Sequence, residues 1–319
     1  MDLNIILIFV CFSNFCGIVF GKTPSELICE NETNSTTLPF CLKESYRKEY
    51  PPFINNTPLN VSVIVVFDDI VEVSDDEYTV TFNGILALSW IDTRLQILHN
   101  STSWEDIDEG DFYSPLNVKF LEHVWRPDLD IPNVKTFEIK KVLDTQRQFG
   151  MFRNKRISYD FPVQITLNCP NFEFSNYPFD TQFCDFLIGS YAWKTDRILY
   201  TGNIQYNQSK QRPLKYAVNY VKPLSFKDGI REFTNFYHTP NGSIKFEKEE
   251  YSHFVIKMEF TRKIQAHVIS FYLPSFLVVL SSWLGFLIGT ASIPGRLTVT
   301  VILLLVLINM RYNYTHTTF

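Results

Sequence analysis

Apolar and polar residues alternate in short runs over most of this 319-residue chain. The alternation is clearest from Val61 to Leu95, and Pro, Asn and Gly separate it from four later runs. Those runs are KTFEIKKVL, RISYDFPVQITLNC, FCDFLIGSYAW and HFVIKMEFTRK. A period of two residues is typical of strands with one buried face. The pattern therefore predicts an all-β, immunoglobulin-like sandwich that ends near Lys263.

Two long apolar stretches follow Lys263. Residues 264–288 carry no formal charge and are numerous enough to cross a bilayer as a helix, which tolerates Pro274. The second stretch, LTVTVILLLVLINM, reaches spanning length only if its helix continues into RYNYTHTT. We therefore expect transmembrane helices at residues 264–288 and 294–316, after the sandwich.

The second stretch carries a mixed stripe on one helical face. Thr298, Ile302, Leu305, Asn309 and Tyr312 follow one another at spacings of four, three, four and three residues. The stripe is polar at both ends and apolar in the middle, which is typical of a pore with an apolar constriction. A buried helix with incidental polar residues is the alternative interpretation.

The first 21 residues, MDLNIILIFVCFSNFCGIVFG, predict a secretory signal peptide at residues 1–21. Their apolar part is shorter than a membrane span, which argues against a first membrane helix. Removal of this segment leaves Cys29, Cys41, Cys169 and Cys184, and an even number favours disulfides in an exported chain. Four cysteines allow three pairings, and we favour the one between sequence neighbours because it closes two short loops.

Seven Asn-x-Ser/Thr sequons favour an extracellular location for residues 22–263. They are Asn31, Asn34, Asn55, Asn60, Asn100, Asn207 and Asn241. This density, together with an export signal, indicates a glycoprotein surface.

Charge and motif content argue against two broad classes of function. The net charge of -5 and the pI near 5.7 disfavour nucleic-acid binding. The six His residues lack metal-ligand spacing and no serine elbow is found, so we expect no enzyme, no cofactor and no metal. The acidic pairs Asp68-Asp69 and Asp75-Asp76 are interpreted as solvated turns.

Four segments, in order, resemble the pentameric Cys-loop ligand-gated ion channels. They are SWIDTRL at residues 89–95, WRPDLDIPN at 125–133, CPNFEFSNYPFDTQFC at 169–184 and FYLPSFLVVLSSW at 271–283. The likeness extends over about residues 60 to 310 and is to divergent, invertebrate-type members of the anion-conducting GABA and glycine receptor group.

In that family the disulfide loop lies at the base of the sandwich, against the membrane domain. The resemblance implies that Tyr177, Pro178, Phe179 and Asp180 press on the pore machinery and transmit ligand binding. The alternative is a loop packed on its own sandwich. The loop departs from the family pattern by one extra residue between its cysteines.

The family's ligand site is an aromatic box between subunits, and the box attracts a cationic amine. The resemblance places Tyr191, Phe246 and Tyr251 in this box. Ile85 and Asp130 stand at two further positions where aromatic residues are usual, so the box is incomplete.

Three further residues are not assigned as ligand contacts. Ala87 stands where amino-acid-gated members hold an Arg for the agonist carboxylate, which disfavours glycine or glutamate as the agonist. Trp90 and Trp125 are interpreted as core aromatics rather than ligand contacts.

The start of the second membrane helix resembles that of anion-conducting members. Their Pro-Ala-Arg corresponds to Pro294, Gly295 and Arg296, and Gly295 replaces the Glu of cation-conducting members. Leu305 matches the central gate leucine. A helix start without an acidic ring implies chloride selectivity.

The resemblance as a whole implies a subunit of a neurotransmitter-gated chloride channel. Such a subunit is a multi-pass protein of the plasma membrane, forms a pentamer with homologous subunits in the bilayer and binds a small-molecule agonist. Two of the family's four membrane helices are found, so the chain looks truncated after the second. The alternative is a truncated, non-conducting subunit that binds ligand or modulates full-length partners.

Overall fold

Fourteen strands precede the α-helices in the part of the chain that the computed structural model describes. That part comprises residues 27–29, 38–53, 57–108, 111–140, 147–206, 215–220, 229–283, 286–287 and 293–318. The predicted signal peptide and the sequons Asn31, Asn34, Asn55 and Asn207 lie outside the described residues.

The bounds of the elements are as follows. The strands are β1 (Phe40–Cys41), β2 (Leu59–Ser74), β3 (Thr79–Ile91), β4 (Gln96–Ile97), β5 (Glu105–Asp108), β6 (Asp111–Leu116), β7 (Val134–Ile139), β8 (Gln148–Phe152), β9 (Arg156–Asn168), β10 (Thr181–Gly189), β11 (Ile198–Tyr206), β12 (Tyr216–Tyr220), β13 (Ile230–His238) and β14 (Ile244–Arg262). The helices are a 3-10 helix (Val118–Glu122), α1 (Ile264–His267), a π-helical turn (Val268–Tyr272), α2 (Leu273–Trp283) and α3 (Ile293–Thr318).

Two sheets form the sandwich. The larger sheet has the order β11-β2-β3-β9-β8-β6-β5, and β7 pairs with the remaining length of β9. The smaller sheet has the order β10-β14-β12, and β13 pairs with the first half of β14. The pairing is antiparallel in both sheets except between β11 and β2, which are parallel. The predicted β-sandwich followed by helices is confirmed.

The core lies between the two sheets because alternate side chains of each strand point inward. Phe82 of β3 and Phe186 of β10 are fully buried, and their ring centroids are 5.3 Å apart across the two sheets. Trp90 and Trp125 are also buried and meet edge to face, with ring centroids 6.1 Å apart. These two tryptophans are core aromatics, as expected.

The expectation of two solvated turns is wrong for Asp68-Asp69 and partly wrong for Asp75. β2 runs through Asp68 and Asp69, because a bulge between Phe67 and Asp69 absorbs the extra residue without ending the strand. Asp75 does lie in a turn, but its side chain is only 9% exposed and accepts a hydrogen bond of 2.8 Å from Arg262.

The first apolar stretch is not one regular helix. α1 passes into the π-helical turn just before Pro274, and α2 ends at Trp283. Proline lacks an N–H and its ring crowds the carbonyl four residues earlier, so a wider helical turn accommodates it. The predicted end at Ile288 lies outside the described residues.

The second apolar stretch forms α3, which begins at Ile293 and includes all of the predicted residues 294–316. Within the described residues, Ile293–Tyr312 is the one helical segment long and apolar enough to cross a membrane, with a mean hydropathy of 2.0 and no burial inside the protein. Val268–Trp283 is apolar but shorter.

Candidate functional site

Three segments of the sandwich enclose a cavity of about 540 Å³. The segments are the chain around Asp130, the loop that follows β10, and the paired strands β13 and β14. The main lining residues are Asp130, Ser190, Tyr191, Phe233, Asn235 and Tyr251. The structure therefore brings together two of the three aromatic residues that the sequence placed in the ligand box.

Strand parity decides which aromatic residues face the cavity. Phe233 of β13 and Tyr251 of β14 lie on the same face, and their ring centroids are 5.7 Å apart. Phe246 is five positions from Tyr251, and an odd spacing puts it on the opposite face of the strand. It pairs with Phe236 there and is 68% exposed. Phe246 does not line the cavity, and Phe233 takes its expected place.

Asp128 fixes the loop that carries Tyr191. Its carboxylate accepts hydrogen bonds from the Ser190 hydroxyl at 2.9 Å and from the backbone N–H groups of Tyr191 and Ala192 at 2.8 and 2.9 Å. The Tyr191 side chain itself is 80% exposed. Sequence reasoning missed Asp128, although its Pro-Asp context in WRPDLDIPN was the available signal.

Asp130 joins the same loop through its backbone. Asp130 and Gly189 exchange two N–H···O hydrogen bonds of 2.9 Å, and this bridge fixes the Asp130 segment against the end of β10. Gly189 is required there, because a Cβ would lie 2.5 Å from the ring of His253. His253 is buried directly behind Asp130, with its Nε2 atom 4.0 Å from the Asp130 carboxylate.

Burial shifts both members of this pair. It raises the pKa of Asp130 above the usual aspartate value, although the neighbouring His253 opposes the shift. Burial lowers the pKa of His253, so the imidazole is neutral near pH 7. The carboxylate in the cavity wall is therefore backed by a neutral ring rather than by a cation.

Glu249 anchors the hairpin of β13 and β14 to the loop after Tyr191. Lys194 forms an ion pair with this carboxylate, and the hydroxyls of Tyr237 and Tyr251 donate to it at 2.7 and 3.0 Å. Asn235 Nδ2 donates to it at 2.5 Å. Lys194 chiefly, and then Tyr237, hold the pKa of Glu249 below its usual range. Because Lys194 is paired with Glu249, it does not supply an unpaired cation to the cavity.

Ile85 and Ala87 lie elsewhere. Both belong to β3 of the larger sheet and are half-buried on its outer face. The alternating residues Leu86 and Leu88 point into the core. Neither residue lines the 540 Å³ cavity.

The cysteines are bonded as Cys29–Cys41 and Cys169–Cys184. The second disulfide closes the loop that contains the proposed coupling residues. The Tyr177 hydroxyl lies 3.2 Å from Nδ1 of His267, and the two rings are in edge contact with centroids 5.3 Å apart. Because His267 belongs to α1, the loop contacts the apolar helical segment directly.

The other loop residues differ in exposure. Pro178 follows a cis peptide bond, and Phe179 is 68% exposed at the tip. Asp180 is buried and turns inward, where its carboxylate accepts hydrogen bonds of 2.7 and 2.9 Å from Arg262. The tip thus presents one apolar side chain while its neighbour holds the loop to the end of β14.

Arg262 is the centre of a buried polar cluster at this end of the sandwich. Its guanidinium binds Asp180 and Asp75 and donates to the Tyr216 hydroxyl, which in turn donates to Asp75 at 2.5 Å. Burial alone would raise the pKa of Asp180, but hydrogen bonds from Arg262 and Gln182 outweigh it and hold that pKa below the usual value.

The proposed pore residues lie on α3. They are Pro294, Gly295, Arg296, Thr298, Ile302, Leu305 and Asn309. The last four fall on one face of the unbroken helix. The first turn contains no acidic residue, and the Thr298 hydroxyl donates to the carbonyl of Pro294 at 2.8 Å.

The described sequons Asn60, Asn100 and Asn241 are all exposed. Asn60 is exposed although it lies in β2, and its side chain accepts a hydrogen bond of 2.7 Å from Thr201. These positions are accessible for glycosylation.

Residues 36–264 match the family model described as the neurotransmitter-gated ion-channel ligand binding domain. The chain belongs to this family. The matched range covers the sandwich, the candidate cavity and the disulfide loop. Within this ligand-binding domain, the resemblance to Cys-loop anion-channel subunits is confirmed. The family consists of receptor channels and not of enzymes, as expected.

Curated relatives of this ligand-binding domain protein are receptor subunits. The γ-aminobutyric acid receptor subunit beta of Lymnaea stagnalis is 28% identical over 310 residues, which are 93% of this chain and 57% of that protein. The glycine receptor subunit beta-type 4 of Caenorhabditis elegans is 26% identical over 225 residues, 68% of this chain and 41% of the relative. The γ-aminobutyric acid receptor subunit pi of Bos taurus is 24% identical over 304 residues, 94% and 63% respectively. The chain thus spans between 41% and 63% of the length of these relatives. They do not favour the alternative of a non-conducting regulator.

Proposed function

We propose that this chain is a subunit of a neurotransmitter-gated chloride channel. In this proposal it is a multi-pass protein of the plasma membrane and forms a pentamer with homologous subunits in the bilayer. A small-molecule agonist binds at the cavity near Tyr191 and Tyr251, between neighbouring sandwiches, and opens a pore lined by α3. The relatives named as γ-aminobutyric acid and glycine receptor subunits support this assignment.

The observation that carries the proposal is a continuous path from the cavity to the apolar helices. β14 contributes Tyr251 to the cavity wall and ends at Arg262, which binds Asp180 of the disulfide loop. The same loop contacts His267 of α1 through Tyr177. A displacement of the cavity wall can therefore reach the helices through directly bonded groups.

Chloride selectivity is supported by the start of α3. The first turn contains Arg296 and no acidic residue, and the N-terminal end of a helix carries partial positive charge. Rings of positive charge at a pore entrance favour anions.

The assignment of segments follows the same proposal. We assign residues 1–21 to a signal peptide, 22–263 to the extracellular domain, and 264–288 and 294–316 to membrane helices. Glycans are assigned to the seven sequons, of which Asn60, Asn100 and Asn241 lie in the described, exposed surface.

Voltage clamp of oocytes tests the function. The chain is expressed alone and together with the Lymnaea relative, and agonist-evoked current is recorded at two external chloride concentrations. We expect a current whose reversal potential follows the chloride gradient and whose agonist response differs from that of the relative alone. A cation-dependent reversal potential refutes chloride selectivity, and the absence of any change in current refutes participation in a channel.

A further inference from the structure

The wall of the 540 Å³ cavity carries one kind of charge. Among the described lining residues, Asp130 is the one carboxylate, and no Lys, Arg or His is among them. Three aromatic rings, of Tyr191, Phe233 and Tyr251, line the same space. Aromatic faces attract cations and a carboxylate adds a formal negative charge, so this wall is built for a positively charged group.

The Asp130 carboxylate accepts a backbone hydrogen bond from Ile131 but no hydrogen bond from a basic side chain among the described residues. Its side chain is 29% exposed, and its nearest basic group, Nε2 of His253, lies at 4.0 Å, beyond hydrogen-bond reach. Neither ring nitrogen of His253, which is 1% exposed, has a hydrogen-bond partner among the described residues. An ionised carboxylate has about four acceptor sites, so Asp130 keeps acceptor capacity on its cavity side.

The remaining charged and titratable groups around this pair do not neutralise Asp130. Asp128, on the same segment, is occupied by the Tyr191 loop, and the Tyr200 hydroxyl of β11 donates to the Asp128 carbonyl. Arg231 of β13 acts on His253 and opposes its protonation. Lys194 is paired with Glu249.

We propose that Asp130 is the counter-ion for an ammonium group of the agonist, and that the agonist is a small organic amine without a carboxylate. The inference rests on the proposed function, because it takes the cavity to be the agonist site. The wall offers a primary ammonium three aromatic rings and a carboxylate acceptor, whereas the formal charge of Asp130 repels an agonist carboxylate.

The test uses the full-length chain in detergent micelles and two probes of nearly equal size. Phenethylamine carries an ammonium at pH 7.4, and 2-phenylethanol is its neutral counterpart. We expect the amine to bind at least about tenfold more tightly, because charge-assisted hydrogen bonds are the stronger class. D130N removes this preference, and D106N, at an exposed acidic residue of β5, retains it.

The pH profile separates direct charge pairing from a structural role. The raised pKa of Asp130 means that this carboxyl loses its charge at a higher pH than an ordinary aspartate. Amine affinity of the unmodified chain should therefore fall on acidification at a higher pH than an ordinary aspartate would give, while D130N binds weakly and equally over the same pH range. Thermal unfolding of D130N checks that the variant is folded.

Equal affinity for the two probes, absence of binding by both, or unchanged amine affinity in D130N overturns the proposal. If those results accompany agonist-evoked chloride currents, the channel function stands and the ligand class is wrong. If amine binding depends on Asp130 but no subunit combination conducts, the carboxylate site stands and the channel function is wrong.

Discussion

Three aspartates have different roles because different groups donate hydrogen bonds to their carboxylates. Asp128 accepts three hydrogen bonds from one loop and positions it. Asp180 accepts a two-pronged contact from a buried guanidinium and closes a loop onto β14. Asp130 accepts a single backbone hydrogen bond from Ile131 among the described residues and faces a cavity. The number of donors therefore distinguishes the two structural carboxylates from the cavity-facing one.

The substitution Asp128→Asn replaces the carboxylate that accepts hydrogen bonds from the N–H groups of Tyr191 and Ala192 with a neutral amide. We expect a loss of about 1 kcal/mol in the free energy of unfolding, because a neutral amide oxygen accepts these exposed hydrogen bonds more weakly than a carboxylate does. Ligand affinity should also fall, since Tyr191 loses its fixed position. Denaturant titration with tryptophan fluorescence measures the first effect. Asp196→Asn, at a side chain that is 67% exposed, is the matched control and should change neither quantity.

Asp180→Asn leaves the buried Arg262 charge without its closest partner. Loss of this charged acceptor costs about 1–3 kcal/mol in the free energy of unfolding, because Asp75 still pairs with Arg262. The lowered pKa of Asp180 also gives a pH signature. Its stabilisation is fully present above the unfolded value near pH 4 and is lost as the pH falls through the folded value.

Acid titration of stability measures this signature. The unmodified chain should lose stability more steeply below about pH 4 than Asp180→Asn does. Asp76→Asn, at an exposed residue of the neighbouring turn, is the control. Parallel acid titration curves for the Asp180 variant and the unmodified chain would contradict the assignment.

At the scale of elements, the long strands were predictable and the interruptions were not. β3 and β9 alternate strictly between buried and half-buried residues, so a period of two identifies them. β13 has mostly exposed residues and no such period, so no local pattern predicts its pairing with β14. The bulge in β2 and the π-helical turn before Pro274 shift the pattern by one residue without ending the element.

The candidate site divides in the same way. Tyr191 and Tyr251 were placed by resemblance to a family pattern, and both line the cavity. Phe246 was predicted beside them but lies on the opposite face of β14, outside this cavity, and its place in the ligand box stays a prediction. Asp128 and His253 act through contacts with residues 60 or more positions away, which no local pattern reports.

Tyr177→Phe removes only the hydroxyl that meets His267. If this contact links the loop to α1, agonist binding should be unchanged, while the agonist concentration for half-maximal current rises severalfold. Radioligand or probe binding and voltage clamp on the same preparation measure the two quantities. Tyr50→Phe, at a tyrosine that is 60% exposed, should alter neither. A parallel loss of binding affinity would mean that the hydroxyl supports the fold rather than the coupling.

At the scale of the whole molecule, the ligand cavity and the helix α3 are assigned to opposite tasks and share no residue. In the proposed function, the sandwich binds the agonist and the first turn of α3 selects the ion. The two properties should therefore respond to different substitutions. Ion selectivity is the clearest case. The position of Gly295 carries Glu in the cation-conducting members of the family that the chain resembles.

Gly295→Glu adds a carboxylate beside Arg296 in that first turn. An acidic side chain is compatible with a helix start, so the helix should persist. We expect the current to change from chloride-selective to cation-permeable while agonist sensitivity is kept. Reversal potentials in chloride-substituted and sodium-substituted solutions measure the change, and Gly295→Gln controls for side-chain size. An unaltered chloride reversal potential would show that selection occurs elsewhere along the pore.

β14 imposes a constraint on how this protein can diversify. It is one strand of 19 residues, about 60 Å long if fully extended, with the cavity-lining Tyr251 near its middle and the Arg262 cluster at its C-terminal end. If β14 connects the agonist site to the helices, as proposed, a substitution along it that changes recognition should also disturb this connection. In lineages that acquire new agonists, we therefore expect sequence variation in the segments around Asp130 and Tyr191, which do not extend to the helices. The sequence of β14 should vary less.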